Sequence, residues 1–212
     1  MIVEREIQFG EEQLTLTNKR AIFIAKRKTL VIADLHLGKT AHFRKNGIAI
    51  PNSVVLQDLE RLKNLISYFG PEQIIIAGDF FHASGNSELE TFRNWKKGYG
   101  DISFILVKGN HDRLPESIYH HLNIPYFPSY SLNGLNIVHH PVKENKVHTI
   151  CGHIHPGIFL KGKGKQRLGL PCYVVTENQL VLPAFSEFTG LDSSYSNKGT
   201  IYAFTNEAIL EV

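Results

Sequence analysis

The chain has 212 residues, enough for one domain spanning 1–212 with a two-sheet core, and its 42% hydrophobic and 20% charged content excludes a disordered or fibrous chain. A formal charge of +3 and a pI near 8.8 do not by themselves demand a nucleic-acid partner, although they suit a polyanionic substrate. The two cysteines, Cys151 and Cys172, stand far apart and outside any CxxC pair, which argues against a disulfide framework or zinc ribbon and for two small buried hydrophobes.

Residues 1–10 carry charges and no long apolar stretch, so neither a signal peptide nor a membrane span is expected, and a cytoplasmic location is the default. Leu14-Thr15-Leu16 and Ala21 to Ile24 read as a short hairpin, and Leu30 to Ala33 as a buried strand. Residues 37–52 are polar, with Gly38, Gly47 and Pro51, and read as a loop of functional length. A helix is expected from after Asn52 to about Phe69. Val54, Val55, Leu59, Leu62, Leu65 and Ile66 form its apolar face, and Gly70-Pro71 ends it. A strand over 74–77, a short helix over 88–97 and a strand over 102–107 follow. A short helix after Pro115 precedes strands at 135–138 and 147–151. The last third predicts only strands, at 173–176, 180–182, 200–205 and 208–212. Lys161 to Arg167 reads as a basic loop. A βαβα first half followed by β-rich pairing predicts two packed sheets flanked by helices.

Several of the apolar runs end in chemistry. Asp34-Leu35-His36 follows the strand at 30–33, and Gly78-Asp79-Phe80-Phe81-His82 follows 74–77. Gly109-Asn110-His111-Asp112 follows 102–107, His139 follows Ile137-Val138, and Gly152-His153-Ile154-His155 follows 147–151. Ligands of open α/β sheets gather at the carboxyl ends of strands. Asp, Asn and His are together the donor set of a two-metal site, in which ions about 3.5–4 Å apart can hold the attacking and leaving oxygens of an in-line phosphoryl displacement. Asp79, at the middle strand end, is the expected bridging carboxylate. Asp34, His36 and His155 would complete one ion's shell, and Asn110, His139 and His153 the other's. His140 competes with His139 for that position. A bridging hydroxide would attack phosphorus. The side chain of His111 diverges from that of Asn110 and could stabilise the phosphoryl oxygens or protonate the leaving oxygen. Asp112 could orient His111 or cap the next turn. Taken singly, each block also suits an ordinary turn, since Gly, Asn and Asp favour turns. It is the ordered set that argues for a site.

In order, these blocks resemble the calcineurin-like metallophosphoesterase superfamily over about residues 30–160. That resemblance implies an α/β four-layer αββα sandwich and the ligand roles above. His82 stands where many members have Asp. This resembles the nuclease subunit of the double-strand-break repair complex, in which the equivalent His assists the catalytic His, and implies the same for His82. A narrower pattern is similar to the ligase-associated DNA damage response endonuclease (PdeM) family nearly end to end. It comprises Asp34-Leu-His-Leu-Gly-Lys39, Phe43-Arg44-x-x-Gly47-x-x-x-Pro51, and Leu182-Pro-Ala-Phe185 with Thr189-Gly190. It implies a manganese-dependent endonuclease on single-stranded or branched DNA, acting in repair beside a DNA ligase and a helicase. The donor set itself also admits iron or zinc.

Lys39, His42, Arg44 and Lys45 follow the first block, and Lys161, Lys163, Lys165 and Arg167 the last. If both loops rim one strand edge, they form a basic collar for phosphates, with Lys39, Arg44, Lys163 and Lys165 as contacts. Phe43 and Phe80 could stack on unpaired bases. Two other functions share the fold: a small-molecule phosphodiesterase or pyrophosphatase on nucleotides or nucleotide-linked precursors, and a non-catalytic scaffold. The absence of an obvious lid and the presence of His82 favour the nuclease. The intact ligand set argues against the scaffold.

Overall fold

A computed structural model of the chain describes residues 1–39, 53–82, 87–143, 146–162, 164 and 166–212. Among them, the first sheet runs in the order β1 (Glu4–Phe9), β2 (Glu12–Thr17), β3 (Ile22–Ile24), β4 (Thr29–Ile32), β5 (Gln73–Ala77), β6 (Ser103–Val107) and β7 (Tyr126–Phe127). Its first four strands are an antiparallel meander, and β4 to β7 are parallel. The second sheet contains β8 (Tyr130–Leu132), β9 (Leu135–Ile137), β10 (His148–Cys151), β12 (Arg167–Val175), β13 (Gln179–Val181), β14 (Thr200–Phe204) and β15 (Ile209–Glu211), in the order β15-β14-β12-β13-β10-β9-β8. A further strand, β11 (Gly157–Lys161), pairs with β12 as a hairpin. Within this sheet β9, β10 and β13 are parallel.

Continuous β-branched runs suit strands that are covered on both faces, and the pleat sorts them into two cores. Leu30, Ile32, Ile74, Ile76, Phe104 and Leu106 face three helices: α1 (Ser53–Phe69), α2 (Ser87–Lys96) and α3 (Glu116–Leu122). Their alternates Val31, Ala33, Ile75, Ala77, Ile105 and Val107 face Ile137, Ile150, Leu180 and Leu182 of the second sheet. The expected apolar face of α1 supplies Leu59, Leu62 and Leu65 to the first core. A third cluster, with Cys151, Cys172, Val174 and Ile158, lines the outer face of the second sheet. Among the described residues that face is covered by the β11–β12 hairpin and the irregular chain around Leu191 and Tyr195 rather than by a helix. This agrees with the lack of helical periodicity in the last third of the sequence.

The expected elements are present within a few residues. Four strands escaped sequence reading, for physical reasons. β1 is an edge strand with most of its side chains exposed, so its sequence, EREIQF, lacks an apolar run. β7 and β8 are only 2 and 3 residues long. β11 and the start of β12 turn the supposed basic loop into a hairpin, with Lys161 opposite Arg167 and Gly162 N–H bonded to Gln166 O. Among the described residues no helix is long and apolar enough to cross a membrane.

The sheets are fastened near the ligand edge by Tyr173, a fully buried residue of β12. Its hydroxyl donates across the sandwich to Thr17 O at 2.7 Å or Ala21 O at 3.0 Å. Tyr173→Phe keeps the ring and removes that bond. It is expected to cost about 1 kcal/mol of stability, as buried hydrogen bonds typically do, measured as the shift of a urea unfolding midpoint at unchanged slope.

Candidate metal centre

All the strands that carry the motifs end on one edge. Asp34 and His36 follow β4, Asp79 follows β5, and Asn110 and His111 follow β6. His139 follows β9, and His153 and His155 follow β10. Five of these residues have a left-handed backbone: φ is 57° at Asp34, 52° at His36, 49° at Asp79, 70° at His153 and 53° at His155. Non-glycine residues rarely adopt that region, and where they do the strain tends to sit at functional sites.

The two sheets make room for each other's side chains. A Cβ on Gly78 would lie 2.1 Å from His139 Nδ1, and one on Gly152 would lie 2.6 Å from Asp34 Oδ2. Both motif glycines are therefore required by a ligand of the opposite sheet. Backbone bonds lace the edge further: Asp34 N–H donates to Gly78 O at 3.0 Å, His36 N–H to Asp79 O at 2.9 Å, and Gly152 N–H to His139 O at 3.1 Å.

The donor atoms form two groups. In the first, His36 Nε2 and His155 Nε2 are 3.4 Å apart, and Asp34 Oδ1 is 3.5 Å from His155 Nε2. Asp34 Oδ2 accepts the His153 N–H at 2.9 Å, while Asp34 Oδ1 is buried with no hydrogen-bond partner. In the second, His139 Nε2 lies 3.1 Å from Asn110 Oδ1, 3.2 Å from His153 Nδ1 and 3.3 Å from Asp79 Oδ2. His139 Nδ1 faces Ala77 O at 3.1 Å, so that nitrogen carries a proton and Nε2 is the atom turned to the site. Asp34, His36 and His155 have ligand atoms within 4.8 Å of one another, as do Asp34, Asp79 and His139, and also His139, His140 and His153. Bare carboxylate oxygen and facing imidazole nitrogens are an arrangement that a cation relieves, and the set fits a pair of divalent ions.

Electrostatics follow from this crowding. Burial opposes charge on Asp79, but hydrogen bonds from the His139 ring and the His111 N–H, with the charge of His139, hold its carboxyl below the usual carboxylate range. Burial, then the charges of Lys39 and His155, push the His36 imidazole down to about 3. Burial likewise lowers His140 and His153. At His139 burial is outweighed by Asp79 and Asp34, and the ring titrates above its ordinary value.

His111 is exposed. Its N–H is held by Asp79 Oδ1 at 2.9 Å, and its ring nitrogen Nε2 is 3.9 Å from Asp79 Oδ2. The His82 ring stacks on it, with centroids 4.6 Å apart and planes at 29°. Asp112 bonds neither ring. One oxygen accepts Phe81 N–H at 2.8 Å and the other accepts Gly109 N–H at 2.8 Å, so this buried carboxyl joins the two loops that carry His82 and His111.

Lys39 is half-buried beside the site. Desolvation lowers its pKa against the pull of Asp34 and Asp79. Arg44, Lys163, Lys165 and Phe43 lie outside the described residues. Phe80 is fully buried against Phe81 and Phe92, so it is not available to stack on a base. Lys161 lies four residues along β11 from Gly157, about 13 Å at strand rise, and the Arg167 guanidinium sits 3.8 Å over the Phe159 ring. Sequence reasoning set His139 against His140. The structure places both beside His153, with the His140 ring 4.2 Å from that of His153. Glu88 was missed: it is buried and accepts Gly38 N–H at 2.6 Å, bracing the loop after His36. Its position at the start of a helix gave no signal of that contact.

A two-sheet α/β sandwich with oxygen and imidazole donors at its parallel strand ends defines a metal-dependent phosphoesterase. The chain belongs to the calcineurin-like phosphoesterase family, whose pattern matches residues 27–176. Among solved structures, a nuclease (MPE) of Pseudomonas putida is similar to it end to end, at 28% identity and a TM-score of 0.82, with 99% of this chain and 100% of that one covered. The end-to-end match agrees with the narrower resemblance seen in the sequence. A phosphoesterase of E. coli (Yfce) aligns at 14% identity and a TM-score of 0.43, covering 87% of this chain and 97% of that one. A protein of Aquifex aeolicus (AQ665) aligns at 21% and 0.42, covering 60% and 78%. A comparison with curated proteins gave no match.

Asp112 offers a test of the loop clamp. Burial pushes its carboxyl up to about 6, against the two N–H bonds it accepts. A carboxyl raised in the folded state binds its proton more tightly there than in the unfolded chain. Its contribution to stability is therefore complete below about pH 4 and is lost as pH rises through about 6. Asp112→Asn puts an amide N–H against one of two backbone donors and is expected to cost about 1–3 kcal/mol. In urea unfolding at several pH values, the stability gap between wild type and variant should narrow from about pH 4 to about pH 6.5. A gap that is constant or widens counts against the clamp as described.

Proposed function

We propose that the protein is a two-metal endonuclease that cuts single-stranded or branched DNA during repair, with manganese as its metal. The observation that carries this reading is the stacked His82–His111 pair beside a mixed carboxylate–imidazole centre, in a chain similar throughout its length to a nuclease. Asp34, His36 and His155 would hold one ion and Asn110, His139 and His153 the other, with Asp79 shared between them. Such ions supply Lewis acidity towards phosphoryl oxygens and a water acidic enough to serve as nucleophile near neutral pH.

The chain's own groups do the rest. His111, with 41% of its side chain exposed, is reachable by a bound phosphodiester. As an imidazolium it donates to a phosphoryl oxygen or returns a proton to the leaving oxygen. His82 limits the ring's rotation by stacking, and Asp112 fixes the separation of the two loops. Lys39 places a cation beside the centre, and Lys39, Arg44, Lys163 and Lys165 are assigned to the DNA backbone. Location in the cytoplasm, in association with a DNA ligase and a helicase, belongs to the same reading.

The test is a substrate panel of single-stranded, nicked, branched and duplex DNA beside bis-p-nitrophenyl phosphate and mononucleotides. Cleavage of single-stranded or branched DNA should require manganese and stop with chelator. His111→Ala should lower the rate by about a hundredfold or more, as loss of a general acid does, without lowering the melting temperature. Turnover of mononucleotides with DNA left intact would reject the nuclease and favour a small-molecule phosphodiesterase.

A further inference from the structure

The segment Leu182-Pro183-Ala184-Phe185, which the sequence pattern singled out, contributes no donor to the centre. It leaves β13 and crosses the edge between the sheets. Leu182 N–H donates to Cys151 O at 2.7 Å, at the end of the strand that leads to His153. Phe185 N–H donates to Ala33 O at 2.7 Å and Ser186 N–H to Asp34 O at 3.2 Å. The carbonyls of Ala33 and Asp34 belong to the peptide planes on either side of the Asp34 Cα. Pinning both planes sets φ and ψ of Asp34.

This strap is itself held from its other side. Arg20 donates to Ala184 O at 2.9 Å, and Arg61 of α1 to Phe185 O at 2.7 Å. The Arg61 guanidinium lies 4.8 Å over the Phe185 ring, pairs with Asp58 on its own helix, and reaches Glu187 at 2.5 Å. Asp58 is buried and also accepts bonds from the Ser186 hydroxyl and the Glu187 N–H. The Asp58–Arg61 pair therefore grips residues 185–187 through carbonyl, amide, hydroxyl and ring.

We propose that Arg61 and Asp58 are positioning residues for Asp34. The inference rests on Asp34 being a metal ligand, as above, and does not depend on which phosphodiester is cut. A left-handed Asp is strained and persists only where its surroundings over-determine it. The strap supplies two of the bonds that do so, and α1 holds the strap. If the grip loosens, Asp34 relaxes towards ordinary φ, and its carboxylate leaves the group it forms with His36 and His155.

Arg61→Lys tests this, because an ammonium keeps the charge but cannot fork to Asp58, Phe185 O and Glu187 together. Chelator-treated protein is titrated with cobalt(II) and its visible spectrum followed. The expected result is a tenfold or greater weakening of one of two bound ions with an altered spectrum for that ion. The other ion should bind as in wild type. Glu187→Gln, which alters the half-exposed arm of the grip and should fold normally, is expected to weaken the same ion by twofold to threefold. Lys63→Ala, on the solvent side of the same helix, should change nothing. Wild-type cobalt binding and spectrum in both Arg61→Lys and Glu187→Gln would overturn the proposal, as would a lowered melting temperature with unaltered cobalt binding. A wild type that binds no cobalt would remove the metal reading and this inference with it. Intact cobalt binding with inert DNA would touch only the choice of substrate.

Discussion

Asp34 is fully buried, and its carboxylate faces imidazole nitrogens and a second carboxylate where burial opposes charge. Such a concentration of lone pairs is unfavourable unless the backbone around it is fixed and donors are aimed at it. The molecule does both at once. The His153 N–H reaches across from the second sheet to one oxygen of Asp34, and the other oxygen is left bare, aimed at the centre. Parallel strands from two sheets, glycines where each sheet's ligands intrude on the other, and a strap across the edge all serve that one carboxylate.

Much of this was legible in the sequence, because the buried strands are short β-branched runs and the chemistry sits immediately after them. β4, β5 and β6 read as TLVI, QIIIA and SFILV, and their polar successors stand out against them. Expecting Asp79 at the middle strand end needed no more than the order of parallel strands. Hidden from the sequence were contacts between distant residues of ordinary kinds. Arg61 and Glu187 are 126 residues apart, and on a helical wheel Asp58 and Arg61 look like a solvated i,i+3 pair. Asp112 was expected to orient His111 or cap a turn, and it instead spans two loops through backbone N–H groups, which composition cannot reveal. Phe80 belongs to the core, the more usual place for such a ring, because an aromatic beside a motif looks the same in sequence whether it faces a ligand or a core.

The imidazoles of the edge are treated differently by their surroundings, and the difference tracks their neighbours. His139 gains from two carboxylates and a carbonyl and is held in one orientation. His36 is buried near a lysine and another imidazole, and stays neutral. His111 presents a ring to solvent while its backbone is fixed by Asp79. Burial and the nearest carboxylates thus move imidazoles of one edge in opposite directions, His36, His140 and His153 down and His139 up.

The left-handed backbone at the edge has a further consequence. Five of the nine non-glycine residues with positive φ among the described residues are the candidate ligands Asp34, His36, Asp79, His153 and His155. Glycine would sit at each of these positions with less strain. A lineage selected only for heat tolerance would therefore drift first at the residues that do the work, exchanging side chains for conformational ease. The centre is the least comfortable part of the chain, and its persistence has to be enforced by use.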